Sequence, residues 1–139
     1  IGAGSSGITA AQALASKGID FDWFELGSSV GGNWRYDNDN GVSSAYRSLH
    51  INTSRQAMQY AAYPMPASLP DYPSHWQIAD YFDEFVDHFG LREKITFNTE
   101  VVKVERDGDR WAVTTRARAA RSASSFSLSF SSRPRATGW

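Results

Sequence analysis

Gly2-x-Gly4-x-x-Gly7 opens the chain, and glycines at that spacing suit one kind of chemistry. The first permits a tight turn, the second lets a pyrophosphate approach the backbone, and the third lets a helix pack closely on a strand. With Ala3, Ser5 and Ser6 between them they form a candidate cofactor-binding turn. The N–H groups and positive dipole end of the helix that follows would face the phosphates. Glu25 follows roughly 20 residues on, at the spacing where a carboxylate accepts the two ribose hydroxyls of an adenosine. The competing reading is a glycine-rich surface loop with Glu25 merely solvated. An acidic residue at this place opposes a 2′-phosphate, so the ligand called for is FAD or NAD rather than NADP.

Gly31-Gly32-Asn33-Trp34 favours FAD. In flavoproteins with two dinucleotide sites, a Gly-Gly pair here brings backbone against FAD and a large residue after it packs near the flavin. The alternative is a plain turn followed by a core aromatic. Among the histidines, His88 falls on the polar side of a helix, and His75, beside Trp76 in that helix's first turn, reads as structural. Their spacing with His50 suggests no metal site. No Ser/His/Asp arrangement stands out.

These residues need elements to hold them. Small and apolar residues from Ile8 to Ala15 predict a helix packed on a sheet, stopped by Lys17 and Gly18. Phe21 to Glu25 reads as a short aromatic strand, Ser28 to Trp34 as a Gly/Ser loop, and Tyr36 to Ser44 as a polar surface loop. Tyr46 to Tyr63 has mixed periodicity and is expected to be irregular with one helical turn. Pro64, Pro66, Pro70 and Pro73 make the next segment extended. Ile78, Tyr81, Phe82, Phe85, Val86 and Phe89 then fall on one helical face, with Ser74 and Gln77 as a capping box and Gly90 as the stop. Asp80, Asp83, Glu84 and Asp87 form its wet face. Ile95–Phe97 and Val101–Val104 are strand-like, and 106–109 reads as a hairpin turn into a strand over 110–115. The fold class is therefore α/β, a Rossmann-like dinucleotide-binding domain.

With 139 residues the chain allows one domain, and 14% aromatics give it material for a sizeable core. A net charge of −1 exerts no global pull toward nucleic acid or anionic membrane. The absence of cysteine excludes a disulfide scaffold, a thiolate metal site and a cysteine nucleophile. No apolar run approaches the roughly 20 residues of a membrane span, and no basic leader precedes the glycines. A soluble cytoplasmic protein is the default expectation. The opening on Ile1 without an initiator Met leads us to expect a piece of a longer chain, cut within its first strand.

From Ile1 to about Thr115 the sequence resembles the N-terminal part of a flavin-containing monooxygenase. The resemblance rests on Gly2 to Gly7, Glu25, Gly31 to Trp34, Tyr46-Arg-Ser-Leu-His-Ile-Asn-Thr-Ser54, Tyr63-Pro-Met-Pro66 and the helix after Pro73. It implies an FAD-binding domain of the two-dinucleotide-binding type, incomplete here at both ends, over 1–115. It implies a reduced flavin that reacts with O₂ to a C4a-hydroperoxide, hydride from NADPH, and a small nucleophilic substrate such as an amine or thioether. The cofactor-binding residues implied are Gly2, Ala3, Gly4, Ser5, Ser6, Gly7, Glu25, Gly32, Asn33, Trp34, Asn52 and Thr53. Asn52 would also be catalytic, at the flavin–nicotinamide junction. His50 would lie near the flavin. Baeyer–Villiger monooxygenases, acting on ketones, share the opening glycines and are the second choice. A non-catalytic FAD-binding module is the third.

Residues 116–139 are Ser/Arg/Ala-rich and contain no acidic residue. A disordered basic tail and, less favoured, a nucleic-acid arm are the plain readings. The resemblance calls instead for a buried apolar strand ending near Ala-Thr-Gly-His, with a second glycine fingerprint for NADPH beyond it. We expect the tail to be a frameshifted reading of that strand. With GC-rich codons for Phe126 to Thr137, joining the last base of each codon to the first two of the next gives an apolar run into Ala-Ala-Thr-Gly-His. The nucleotide sequence of the locus should permit that second frame and continue to the missing fingerprint; nucleotides that forbid it overturn the expectation.

Overall fold

Gly4, in an extended conformation, starts α1 (Ser5–Ser16). The helix turns Ile8 and Ala11 inward, and it ends at Lys17 with Gly18 in the left-handed region. The computed structural model describes residues 1–118 and the backbone pairing of 129–130. β1 (Trp23–Phe24) is shorter than its aromatic run suggests. It pairs in parallel with β2 (Ile95–Thr96), in the register Trp23 to Ile95 and Phe24 to Thr96. On its other edge the Gly2 N–H donates to the Phe24 carbonyl at 2.8 Å. The opening residues thus run beside β1, and β1 lies between them and β2, as an α/β dinucleotide fold requires.

A 3₁₀ turn (Gly32–Trp34) and one helical turn, α2 (Arg55–Met58), interrupt the connection to α3 (His75–His88). Gln77 reaches back to the Ser74 N–H at 2.9 Å, the return half of the capping box. Ile78, Tyr81, Phe82, Phe85 and Val86 of α3 are buried, while Asp80, Glu84 and Asp87 face water. Gly90 takes φ +61° just past the helix. The α3 face packs with Ile8 and Ala11 of α1, Trp23 of β1, Val30, Ile51, Met65, Leu91 and Ile95 in a single core. Asp83 forms ion pairs with Arg35 and Arg92, tying the wet side of α3 to the loop after the 3₁₀ turn.

β3 (Thr99–Asp107) and β4 (Arg110–Ala117) form an antiparallel hairpin turning at Gly108, with a register shift between Val101 and Lys103. β5 (Ser129–Phe130) pairs antiparallel with β4. The change of composition at Arg116 falls inside β4, where Arg116 bonds Glu100 across the hairpin at 3.2 Å. Apart from Ala117, Arg118 and the pairing of β5, the remainder of the Ser/Arg stretch, and with it the frameshift expected there, lies outside the described residues. Among the described residues no helix is long and apolar enough to cross a membrane.

Phe85 is 1% exposed and packs edge-on to Tyr60 and Tyr63. Phe85→Ala should lower the unfolding free energy by about 3–5 kcal/mol, read as the urea midpoint with unchanged slope.

Candidate functional site

The N–H of Ala3 donates to Glu25 Oε2 at 2.6 Å, and its carbonyl accepts from the Gly31 N–H at 2.9 Å. One peptide neighbourhood thus joins the glycine turn, the end of β1 and the second glycine pair. Gly7 lies so close beneath the turn that a Cβ there would overlap the carbonyl of Gly2, 2.9 Å from its carbon. That carbonyl also accepts from Trp23 Nε1 at 2.8 Å. Gly32 has φ +53°, and a Cβ on it would stand 2.9 Å from the Gly4 Cα. The two glycine turns therefore touch backbone to backbone, and no side chain fits between them. Among the described residues no side chain caps α1, so its first-turn N–H groups remain available to an anion at the positive end of the helix.

An open cleft of about 330 Å³ lies at this junction. Gly2, Gly4, Ser5, Ser6 and Gly7 line one side, and Gly31, Asn33 and Trp34 the other. Two turns distant in sequence thus meet at one concave surface, and Trp34 packs against the core beside it. Asn33 is pinned as well: its Oδ1 accepts from the Ser44 N–H at 2.6 Å.

Glu25 is not solvated. It is 4% exposed, and its second oxygen, Oε1, accepts from the Gly27 N–H at 2.7 Å. Each oxygen keeps lone-pair capacity for a further donor. The carboxylate therefore has a role the spacing did not show: it holds the glycine turn in shape. Asp39 stands close by, its Oδ1 accepting from the Ser28 N–H at 2.9 Å, and that bond holds its carboxyl below the usual carboxylate range. A Cβ on Gly27 would lie 2.9 Å from both Asn38 Oδ1 and Asp39 Oδ1.

The loop over 36–44, read as surface, contains a buried residue. Asn38 is 7% exposed and donates through Nδ2 to the Gly32 carbonyl at 2.9 Å, fixing the second glycine turn. A run of Asp and Asn carries no signal that singles it out. Tyr60 was likewise missed. Its hydroxyl donates to the Ser5 carbonyl at 2.9 Å, while its own N–H donates to the Tyr81 hydroxyl at 2.9 Å. It ties the start of α1 to the aromatic face of α3. Burial pushes its phenol up to about 12.

Asn52 and Thr53 are exposed and do not line the cleft. They sit at a tip between buried Ile51, whose N–H donates to the Pro73 carbonyl at 3.0 Å, and Arg55, whose N–H donates to the Asp71 carbonyl at 2.7 Å. His50 and His88 are exposed; His75 is fully buried.

A sequence model of the family described as FMO-like, flavin-binding monooxygenase-like, matches residues 1–128. Flavin-containing monooxygenase 5 of Rattus norvegicus is 34% identical over 122 residues, which are 83% of this chain and 23% of that protein. The chain thus spans about a quarter of the length of the curated relatives it matches. The fold is similar to S-allyl-L-cysteine S-oxygenase from Allium sativum, with a TM-score of 0.79 and 28% identity over 93% of this chain and 33% of that one. It is also similar to an oxidized steroid monooxygenase bound to NADP, with a TM-score of 0.71 and 28% identity over 82% of this chain and 22% of that one.

Because the Tyr60 phenol titrates near 10 when unfolded and at about 12 when folded, the folded state holds its proton over that window. Stability should be full below pH ~10 and fall as pH rises toward ~12. Urea midpoints measured across that range should fall less steeply in Tyr60→Phe. That variant should also be about 1 kcal/mol less stable at neutral pH, through loss of the bond to Ser5.

Proposed function

The chain belongs to the flavin-binding monooxygenase-like family, and on that premise we propose that it is the FAD-binding part of an NADPH-dependent monooxygenase acting on a soft nucleophile such as an amine or thioether. The observation that carries the reading is the backbone contact of the two glycine turns above an uncapped helix start, with Glu25 bonded to the same turn. A Cβ at Gly7 or Gly32 would run into the backbone of Gly2 or Gly4 and force this cradle apart, which supports a dinucleotide as the group it holds.

The first-turn amides of α1, with Gly4, Ser5, Ser6 and Gly7, would hold the diphosphate. Glu25, immobilised by Ala3 and Gly27, would accept the ribose hydroxyls with its remaining lone pairs. Its charge, with that of Asp39 nearby, opposes a 2′-phosphate, which favours FAD over NADPH as the ligand of this cleft. Gly32, Asn33 and Trp34 would lie along the flavin side and exclude water. Asn52 and Thr53, on their exposed tip, would meet the flavin from outside the cleft, with Asn52 where the nicotinamide joins it. Bound flavin and NADPH supply O₂ activation and hydride; the protein supplies position and dryness. The sulfur chemistry of the Allium sativum S-oxygenase supports a heteroatom as the oxygenated centre.

Titration of the chain with FAD, followed by flavin fluorescence, should show saturable binding. Glu25→Gln should weaken it by about tenfold or more, the scale of a lost charge-assisted hydrogen bond. FMN, which lacks the adenosine, should bind both forms weakly and equally. Equal FAD affinity in the two forms overturns the ribose assignment. In a protein extended through the second reading frame to the NADPH fingerprint, consumption of NADPH stimulated by an amine or thioether distinguishes the monooxygenase from a module that binds flavin without turnover, and stimulation by a ketone alone would favour the Baeyer–Villiger class.

A further inference from the structure

His75, in the first turn of α3, is fully buried, yet its Nδ1 has no partner among the described residues. Tyr36 and Trp76 pack on the ring at centroid distances of 5.6 and 4.3 Å. Nε2 lies 3.2 Å from the Arg47 carbonyl oxygen, so Nε2 carries the hydrogen and donates it. A phenyl ring would fill this place without burying an unpaired nitrogen. What the imidazole adds is the one bond to Arg47.

That bond belongs to a ladder. The His75 N–H donates to the Leu49 carbonyl at 2.9 Å, the Ile51 N–H to Pro73, and the Arg55 N–H to Asp71. His50 and Ser74 face each other as an antiparallel bridge. Every rung named here is backbone to backbone except the first, at Arg47, which the His75 side chain makes. Between the Ile51 and Arg55 rungs the chain leaves the ladder, and there stand Asn52 and Thr53, exposed. The direction in which this tip points depends on where the segment entering it is held.

We propose that His75 is a positioning residue: through Nε2 and the Arg47 carbonyl it sets the strap that presents Asn52 and Thr53 to the flavin. The proposal rests on the FAD reading above and adds to it a residue that lines no part of the cleft. A mere packing role would let any ring or branched side chain of similar volume serve. A positioning role requires a donor at the Nε2 place and makes His75 act through Asn52.

The test is a double-substitution cycle on the 139-residue chain, read by FAD affinity and by the visible absorption of bound flavin. His75→Leu should weaken FAD binding by about as much as Asn52→Ala, on the order of tenfold, and shift the bound-flavin bands toward those of free FAD in the same way. The double variant should lose no more than the weaker-binding single variant. His75→Gln, whose amide reaches the Nε2 place, should bind FAD within about twofold of the unsubstituted chain. His75→Asn, which is too short, should not. Additive losses in the cycle overturn the proposal. So do equal affinities of the Gln and Asn variants, which decide the matter if circular dichroism shows that His75→Leu does not fold. Absence of FAD binding by the unsubstituted chain overturns the underlying reading and this proposal with it.

Discussion

The contact of Gly4 with Gly32 is the constraint on which the site depends. Two turns from distant parts of the chain approach until a Cβ on Gly32 would stand 2.9 Å from the Gly4 Cα. Such an approach buries peptide groups, and buried peptide groups need partners. Ala3 satisfies the requirement from both of its polar atoms, donating to Glu25 and accepting from Gly31. Asn38 satisfies it for Gly32. The cradle is therefore formed by hydrogen bonding within the protein itself, and its open face is left to the uncapped amides of α1.

α3 provides the rigidity behind that cradle. Its aromatic face has many close partners: Tyr60 stacks on Tyr81 and Phe82, and Tyr63 on Tyr81. The Tyr81 hydroxyl accepts from the Tyr60 N–H and donates to the Tyr63 carbonyl at 2.5 Å. Each phenol in the stack that is buried has a polar partner, as an aromatic core with hydroxyls requires. The Tyr60 bond to Ser5 carries this order to the first residue of α1. An aromatic stripe that reads as simple core is therefore also a brace for the glycine turn.

What was legible in the sequence was local. The Gly2-Gly4-Gly7 turn, the Ser74/Gln77 cap, the α3 stripe and the turn at Gly108 each follow from spacing within a few residues, and the structure contains all four. What was not legible was the pairing of distant groups. Nothing near Asn38 announces Gly32, and nothing near Tyr60 announces Ser5. Glu25 was visible as an acid at the right distance, but its bond to Ala3 exists only once β1 lies beside the opening residues. β1 itself shrank to Trp23–Phe24. β4, conversely, ran past the change of composition because Thr115 turns into the core and Arg116 meets Glu100. Pairing across the hairpin outweighed the local bias.

Burial divides the site residues in two. Ala3, Gly31 and Glu25 are buried, and Gly4 and Gly32 meet backbone to backbone, so this part of the site is fixed by the packing of the two glycine turns. Asn52 and Thr53 stand on a ladder of four hydrogen bonds with solvent on one side. On the proposed reading, in which Asn52 meets two cofactors in turn, it cannot be sealed in the core with either of them. It has to be exposed, and exposure costs it the packing that fixes a core side chain. The hydrogen bonds on either side of the tip then supply the direction that packing does not, and the buried His75, whose Nδ1 has no partner among the described residues, makes one of them.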